Sequence, residues 1–152
     1  PGRIPVVAHP IQSNRTPLGH GLSGQQGDQY KHGQSNAAEN FFMVRDGSLI
    51  TPPITSNILE GITRETIMTL AWEEMGLRTI ERTIDRSEIY VCEEAFLTGT
   101  GVQVAAITQV EHRPIGTGSI GPVVSRLRDL YFGVVRGKNP AYRQWCTPVY
   151  DA

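Results

Sequence analysis

Lysine is almost missing from this chain: among its 152 residues only Lys31 and Lys138 carry that amine. Chemistry that needs a lysine nucleophile therefore has two candidates and no more. Cysteine is as scarce, and Cys92 and Cys146 stand too far apart for a zinc-type spacing. With no signal peptide in the sequence, they read as reduced thiols of a cytoplasmic protein. No apolar run approaches the roughly 20 residues that a membrane helix needs, so no membrane partner is expected. Charge of one sign is not in excess: 14 Lys and Arg face 15 Asp and Glu, the net charge is -1 and the pI is near 6.5. That balance argues against a nucleic-acid surface. The length fits one domain with a real core. The first residue is Pro rather than Met, which reads as a fragment or a processed product.

Residues 1–36 are poor in apolar side chains, with Ile4, Val6, Val7, Ala8, Ile11, Leu18, Leu22 and Tyr30 scattered among Pro, Gly, Gln, Ser and His. No period of 2 or 3.6 persists, so the segment reads as loop or disorder that buries too little surface to offset its ordering entropy. Val6 to Ala8 is the one short strand candidate. His9, His20 and His32 are scattered and read as solvated loop residues rather than metal ligands. Gly19-His-Gly21 and Gly24-Gln-Gln-Gly27 lack the strand-to-helix frame of a phosphate loop.

The stretch 38–67 organises the rest. Phe41 to Val44 is a short apolar run with aromatics and predicts a strand. Asp46-Gly47 is a two-residue hairpin signal, because Gly tolerates positive φ. Leu49-Ile50-Thr51 returns as the partner strand, and Pro52-Pro53 stops it, since proline cannot donate to a ladder. Ile67, Leu70, Ala71 and Met75 then follow at helical spacing, predicting a helix from about Thr63 to Met75 that ends at Gly76. Trp72 falls at its edge. Gly61, Ile62 and Thr63 would lie at the free amides of that helix start, an end that binds anions through unpaired N–H groups and the dipole. Taken alone, Thr63 reads first as a simple cap, because capping by Thr is so common.

Further on, Thr79 to Ile84 alternates as a strand. Asp85-Arg-Ser-Glu88 reads as a capping box opening a short helix through Tyr90. Ala95-Phe96-Leu97 enters Thr98-Gly-Thr-Gly101, and a second strand runs from about Val102 to Val110. Glu111-His112 makes a turn and Arg113 to Ile115 returns. Gly121-Pro122 opens a last helix whose apolar face is Val123, Val124, Leu127, Leu130, Tyr131, Val134 and Val135, closed by Gly137. Residues 139–152 read as an extended tail packed on the body or on a partner subunit.

These motifs carry a resemblance. Asn57-Ile-Leu-Glu-Gly-Ile-Thr-Arg64, preceded by Ala38-Glu-Asn-Phe-Phe42 and Thr51-Pro-Pro53, resembles the branched-chain amino acid aminotransferases, pyridoxal 5′-phosphate (PLP) enzymes of fold type IV. Glu94-Ala-Phe-Leu-Thr-Gly-Thr-Gly101 is similar to their second cofactor-side loop. His112-Arg-Pro-Ile-Gly116 and Gly121-Pro-Val-Val-Ser-Arg-Leu127 are similar to their C-terminal hairpin and last helix. The resemblance runs from about Ala37 to Tyr150. It divides the chain into an unmatched leader, 1–36, and a portion of the family's C-terminal domain, 37–152. The fold it implies is α/β, with a mixed, largely antiparallel sheet or partial barrel and two main helices.

The resemblance also implies roles. The amides of Ile62 and Thr63, the Thr63 hydroxyl and the Thr100 hydroxyl fall where the family holds the PLP phosphate. Leu59 falls where a branched side chain packs on the pyridine ring, with an ordinary core leucine as the alternative. The backbone at Thr100 and Gly101 falls where the substrate α-carboxylate is received. Arg64 is set aside, as a surface salt-bridge partner serves equally well. Neither Lys31 nor Lys138 stands at the position of the family's Schiff-base lysine, so no catalytic residue is assigned. The family's glutamate beside the pyridine nitrogen would stand five residues before Asn40, where this chain has Ser35. A serine hydroxyl cannot hold the pyridinium charge as a carboxylate does. The break between Asn36 and Ala37 suggests a leader from a frame-shifted or rearranged coding region. An upstream coding sequence ending in Glu-Gly-Ser is the expected support, and its absence from every frame would overturn it.

Three functions are carried forward. The first is a C-terminal portion of a branched-chain aminotransferase, inactive alone, whose family moves amino groups between Leu, Ile or Val and 2-oxo acids such as 2-oxoglutarate, usually as a homo-oligomer. The second is another fold type IV PLP enzyme, a D-amino acid aminotransferase or an aminodeoxychorismate lyase. The third is a non-catalytic degenerate fragment that associates with a full-length relative.

Overall fold

The computed structural model describes residues 39–56 and 60–147. The expectations for residues 1–36, with Lys31 and Ser35, and the packing role of Leu59 lie outside the described residues.

Strands β1 (Asn40–Arg45) and β2 (Ser48–Thr51) form the expected hairpin, with Met43 opposite Ile50 and Arg45 opposite Ser48. Its turn places Asp46 at φ 51° and Gly47 at φ 66°, the left-handed pair that suits the twist of a two-residue hairpin. A short 3-10 turn (Ile54–Ser56) leads towards α1 (Ile62–Met75). Gly76 closes α1 at φ 62°, its N–H reaching the carbonyls of Ala71 and Trp72.

Strand β3 (Thr79–Glu81) lies parallel to β2, with Thr51 opposite Glu81. It is half the length the alternation suggests. Arg82 N–H still reaches Thr51 O at 3.0 Å, but the next partner residue is Pro52, which has no N–H to continue the ladder. Asp85 caps the short helix α2 (Arg86–Ile89), and the reciprocal Glu88 bond makes the expected capping box complete.

Strand β4 (Glu94–Gly99) pairs antiparallel with β1 and with β5 (Gln103–Ile107), giving a five-stranded open sheet of order β3-β2-β1-β4-β5. The long strand expected from 102 to 110 is broken at Thr108. Its last residues form β6 (Gln109–Val110), which pairs with β7 (Arg113–Pro114) in a separate hairpin turned by Glu111 and His112, both at positive φ. Helix α3 (Pro122–Val135) follows. The final segment is not extended: Pro140–Trp145 forms a 3-10 turn capped by the Asn139 side chain. Tyr142 anchors it by packing on Trp145 and donating towards Glu73 and Glu74 at 2.8 and 2.9 Å.

The two central strands are buried on both faces, which is why their sequences read as apolar runs rather than as alternation. On one face Phe42, Val44, Leu49, Phe96 and Val104 meet α1 and α3 through Ile67, Leu70, Val124, Leu127 and Val134. Phe42 and Phe96 face each other across the ladder and stack at 5.1 Å, 7° from parallel. Such a pair contributes about 0.5–1.5 kcal/mol beyond area burial. On the other face Phe41, Met43, Ile50, Ala95 and Leu97 meet Ile89, Cys92 and Ile115. Cys92 donates to Ile89 O at 3.2 Å, and burial pushes its thiol up to about 11; both cysteines are free. Trp72, expected to cover the edge of its helix, is 64% exposed. Among the described residues no helix is long and apolar enough to cross a membrane, and no His, Cys, Asp and Glu group could hold a metal ion. The architecture is the expected mixed α/β arrangement, a mostly antiparallel open sheet with two main helices.

Candidate functional site

Helix α1 opens on a glycine. Its N-cap is Gly61, in extended backbone, which has no side chain of its own to cap the helix; the first helical bond runs from Glu65 N to Gly61 O at 3.1 Å. Thr63 is therefore not the cap. It is the second residue of the helix and is buried, while the neighbouring Ile62 side chain is half-exposed. The amides of Ile62, Thr63 and Arg64 have no helical partner, as in any first turn, and the positive end of the helix dipole adds to their pull on an anion.

Asn40 connects this helix start to the sheet. A Cβ on Gly61 would run into Asn40 Oδ1, so only glycine allows the close approach. Asn40 is the first residue of β1, buried, and pairs with Thr98 in β4. Directly paired residues of antiparallel strands share a face, so the Asn40 and Thr98 side chains both lie on the side of the sheet that carries α1. Thr98 is fully buried, and its hydroxyl has no hydrogen-bond partner. Two residues further, Thr100 and Gly101 form the exposed turn into β5. The α1 start thus lies against Asn40, whose ladder partner Thr98 stands two residues before Thr100. Leu59 is the one candidate residue outside the described part.

Arg64 is not a surface residue. Its side chain is 6% exposed and donates from Nη2 to Glu81 Oε2 at 2.7 Å and to Pro52 O at 3.1 Å. Glu94 is a second residue that the motifs alone did not assign a task. It is buried at the start of β4, and its two carboxylate oxygens accept from Val123 N at 3.0 Å and Val124 N at 2.8 Å, the opening amides of α3. A readable signal existed: Gly121-Pro122 offers no Ser, Thr, Asp or Asn to cap that helix, so its cap had to come from elsewhere. Lys138 is exposed, three residues past α3.

A glycine-opened helix start, a hydroxyl in its first turn and a threonine-glycine turn are donors of the kind that suit an anion. Residues 34–110 match the amino-transferase class IV family, and the chain belongs to that family. Within it, the chain is similar to branched-chain enzymes. It is 45% identical to a probable branched-chain-amino-acid aminotransferase of Aquifex aeolicus, over 76% of the chain and 37% of that protein. It is likewise 45% identical to the branched-chain-amino-acid aminotransferase of Pseudomonas aeruginosa, over 74% of the chain and 36% of that protein. The crystal structure of the branched-chain amino acid aminotransferase from Thermobaculum terrenum in its PLP form superposes with a TM-score of 0.72 at 45% identity, covering 76% of this chain and 37% of that one. The chain thus spans little more than a third of the relatives it matches.

Proposed function

We propose that this chain is the phosphate-holding part of a branched-chain aminotransferase site. The observation that carries the proposal is the α1 start, opened by Gly61 at close approach to Asn40, whose ladder partner Thr98 has a buried, unpartnered hydroxyl. The residues fit the phosphate end of PLP. Ile62 and Thr63 donate amide N–H groups, Thr63 and Thr100 add hydroxyls, and Leu59 packs against the ring. PLP, when bound, supplies the electron-accepting ring that amino-group transfer needs. The open backbone at Thr100 and Gly101 receives the carboxylate of the amino acid or 2-oxo acid, because glycine admits close approach. The substrates on this reading are Leu, Ile and Val with 2-oxoglutarate, in a cytoplasmic homo-oligomer. Lys138 and Lys31 take no part, so the chain orients the phosphate and the carboxylate and moves no proton.

The test is equilibrium binding of pyridoxamine 5′-phosphate against pyridoxamine, which have no aldehyde to label stray lysines. The phosphorylated form is expected to bind at least about tenfold more tightly, the worth of one charge-assisted hydrogen bond. Equal affinities would overturn the proposal. Glutamate formed from leucine and 2-oxoglutarate by the pure chain would overturn the assignment of a holding role alone.

A further inference from the structure

Arg64 sits where a cation is least expected. It is the third residue of α1, so its charge lies at the positive end of the helix dipole. It is also buried, and its Nε has no hydrogen-bond partner. Helix stability does not explain such a residue; its partners do. Glu81 ends β3, Pro52 follows β2, and the bond from Arg82 N to Thr51 O ties these two strand ends together. The guanidinium therefore bolts the first turn of α1 to the ends of β2 and β3 at the sheet edge. On the other side, Gly61 rests on Asn40 of β1. Ile62 and Thr63 lie between these two fixed points.

Resting on the phosphate-holding reading above, we infer that Arg64, held by Glu81 and Pro52, is a positioning residue that fixes the Ile62 and Thr63 amides for the anion. It acts through where it places the turn and not through its charge. The two mechanisms give opposite signs for one variant. Glu81→Ala keeps the Arg64 charge and removes its compensating carboxylate. A field effect would then strengthen anion binding, whereas a lost clamp weakens it.

The experiment measures pyridoxamine 5′-phosphate and pyridoxamine affinities for the full chain and for Glu81→Ala and Arg64→Met. With the clamp, Arg64→Met loses about tenfold and Glu81→Ala about threefold in affinity for the phosphorylated form, in the range of one and of part of one charged hydrogen bond. Pyridoxamine affinity is unchanged in both. Glu81 is partly exposed, so Glu81→Ala remains a folded test if Arg64→Met is not. Unchanged or tighter binding of the phosphorylated form by Glu81→Ala overturns the inference, as does an equal loss of both ligands. Absence of any phosphate preference in the parent chain overturns the underlying reading as well. A preference in the parent that survives in both variants overturns only the role of Arg64.

Discussion

The two long helices begin alike and are used differently. Each has 14 residues, each has a glycine at its N-cap in extended backbone, and neither is capped by its own side chain. At α3 the buried carboxylate of Glu94 fills the place of an anion, accepting from two opening amides. Gly121 allows this, since a Cβ there would collide with that carboxylate. At α1 the N-cap glycine instead approaches the side-chain amide of Asn40, a neutral group. The difference teaches that a helix start is an anion site only when the protein has not already supplied the anion. The loop before α3, Gly116 to Gly121, is rich in glycine and hydroxyls and looks the better phosphate loop, yet its helix is closed from within.

The largest expected effect comes from breaking the filled end. Glu94→Ala strands two amides and should lower unfolding free energy by about 2–3 kcal/mol, the range for hydrogen bonds to a charged group. Urea denaturation measures it, and a loss below about 0.5 kcal/mol would mean that the cap is incidental. Inorganic phosphate should stabilise this variant more than the parent, because α3 then starts as α1 does.

The open end should respond in the opposite way. Thr63→Val keeps the side-chain shape and removes the hydroxyl. It is expected to weaken pyridoxamine 5′-phosphate about tenfold while shifting stability by less than about 0.5 kcal/mol. Equal binding by parent and variant would take Thr63 out of the site.

The smallest effect sharpens the comparison with the third helix start. At α2 the cap is local, and Glu88 accepts from Asp85 N while pairing with Arg82 and Arg45. The Arg82 hydrogen bond, followed by the Asp85 amide, holds the Glu88 carboxyl down at about 2 against an ordinary 4.5. The fold thus favours its charged form. Its contribution to stability is complete above about pH 4.5 and drains away as the pH falls towards 2. Glu88→Gln should flatten that part of the acid unfolding curve, and an unaltered curve would count against the pair.

Much of the fold was legible because it is written in local chemistry. Asp46-Gly47 demands a left-handed turn, Pro52 ends a ladder, Gly76 ends a helix, and Asp85 with Glu88 forms a box within one helical turn. The departures have non-local causes. β3 stops early because its parallel neighbour is a proline, and the tail curls because Tyr142 finds two glutamates on α1. The candidate site was half legible. The Gly61-Ile62-Thr63 helix start and the Thr98-Gly-Thr-Gly101 turn could be read from motifs. Arg64 could not, since nothing in its neighbours along the chain says that Glu81 and Pro52 bury it.

The sequence by itself determined the family, the hairpin and the two long helices with the strands between them, because turn, cap and periodicity signals act over a few residues. Only the tertiary structure decided which helix start is filled by a carboxylate. Glu94 lies about 30 residues from the amides it fills, and only the folding of β4 against α3 brings its carboxylate there. The residue that β1 places at the α1 start is Asn40, a neutral amide whose Oδ1 lies against Gly61.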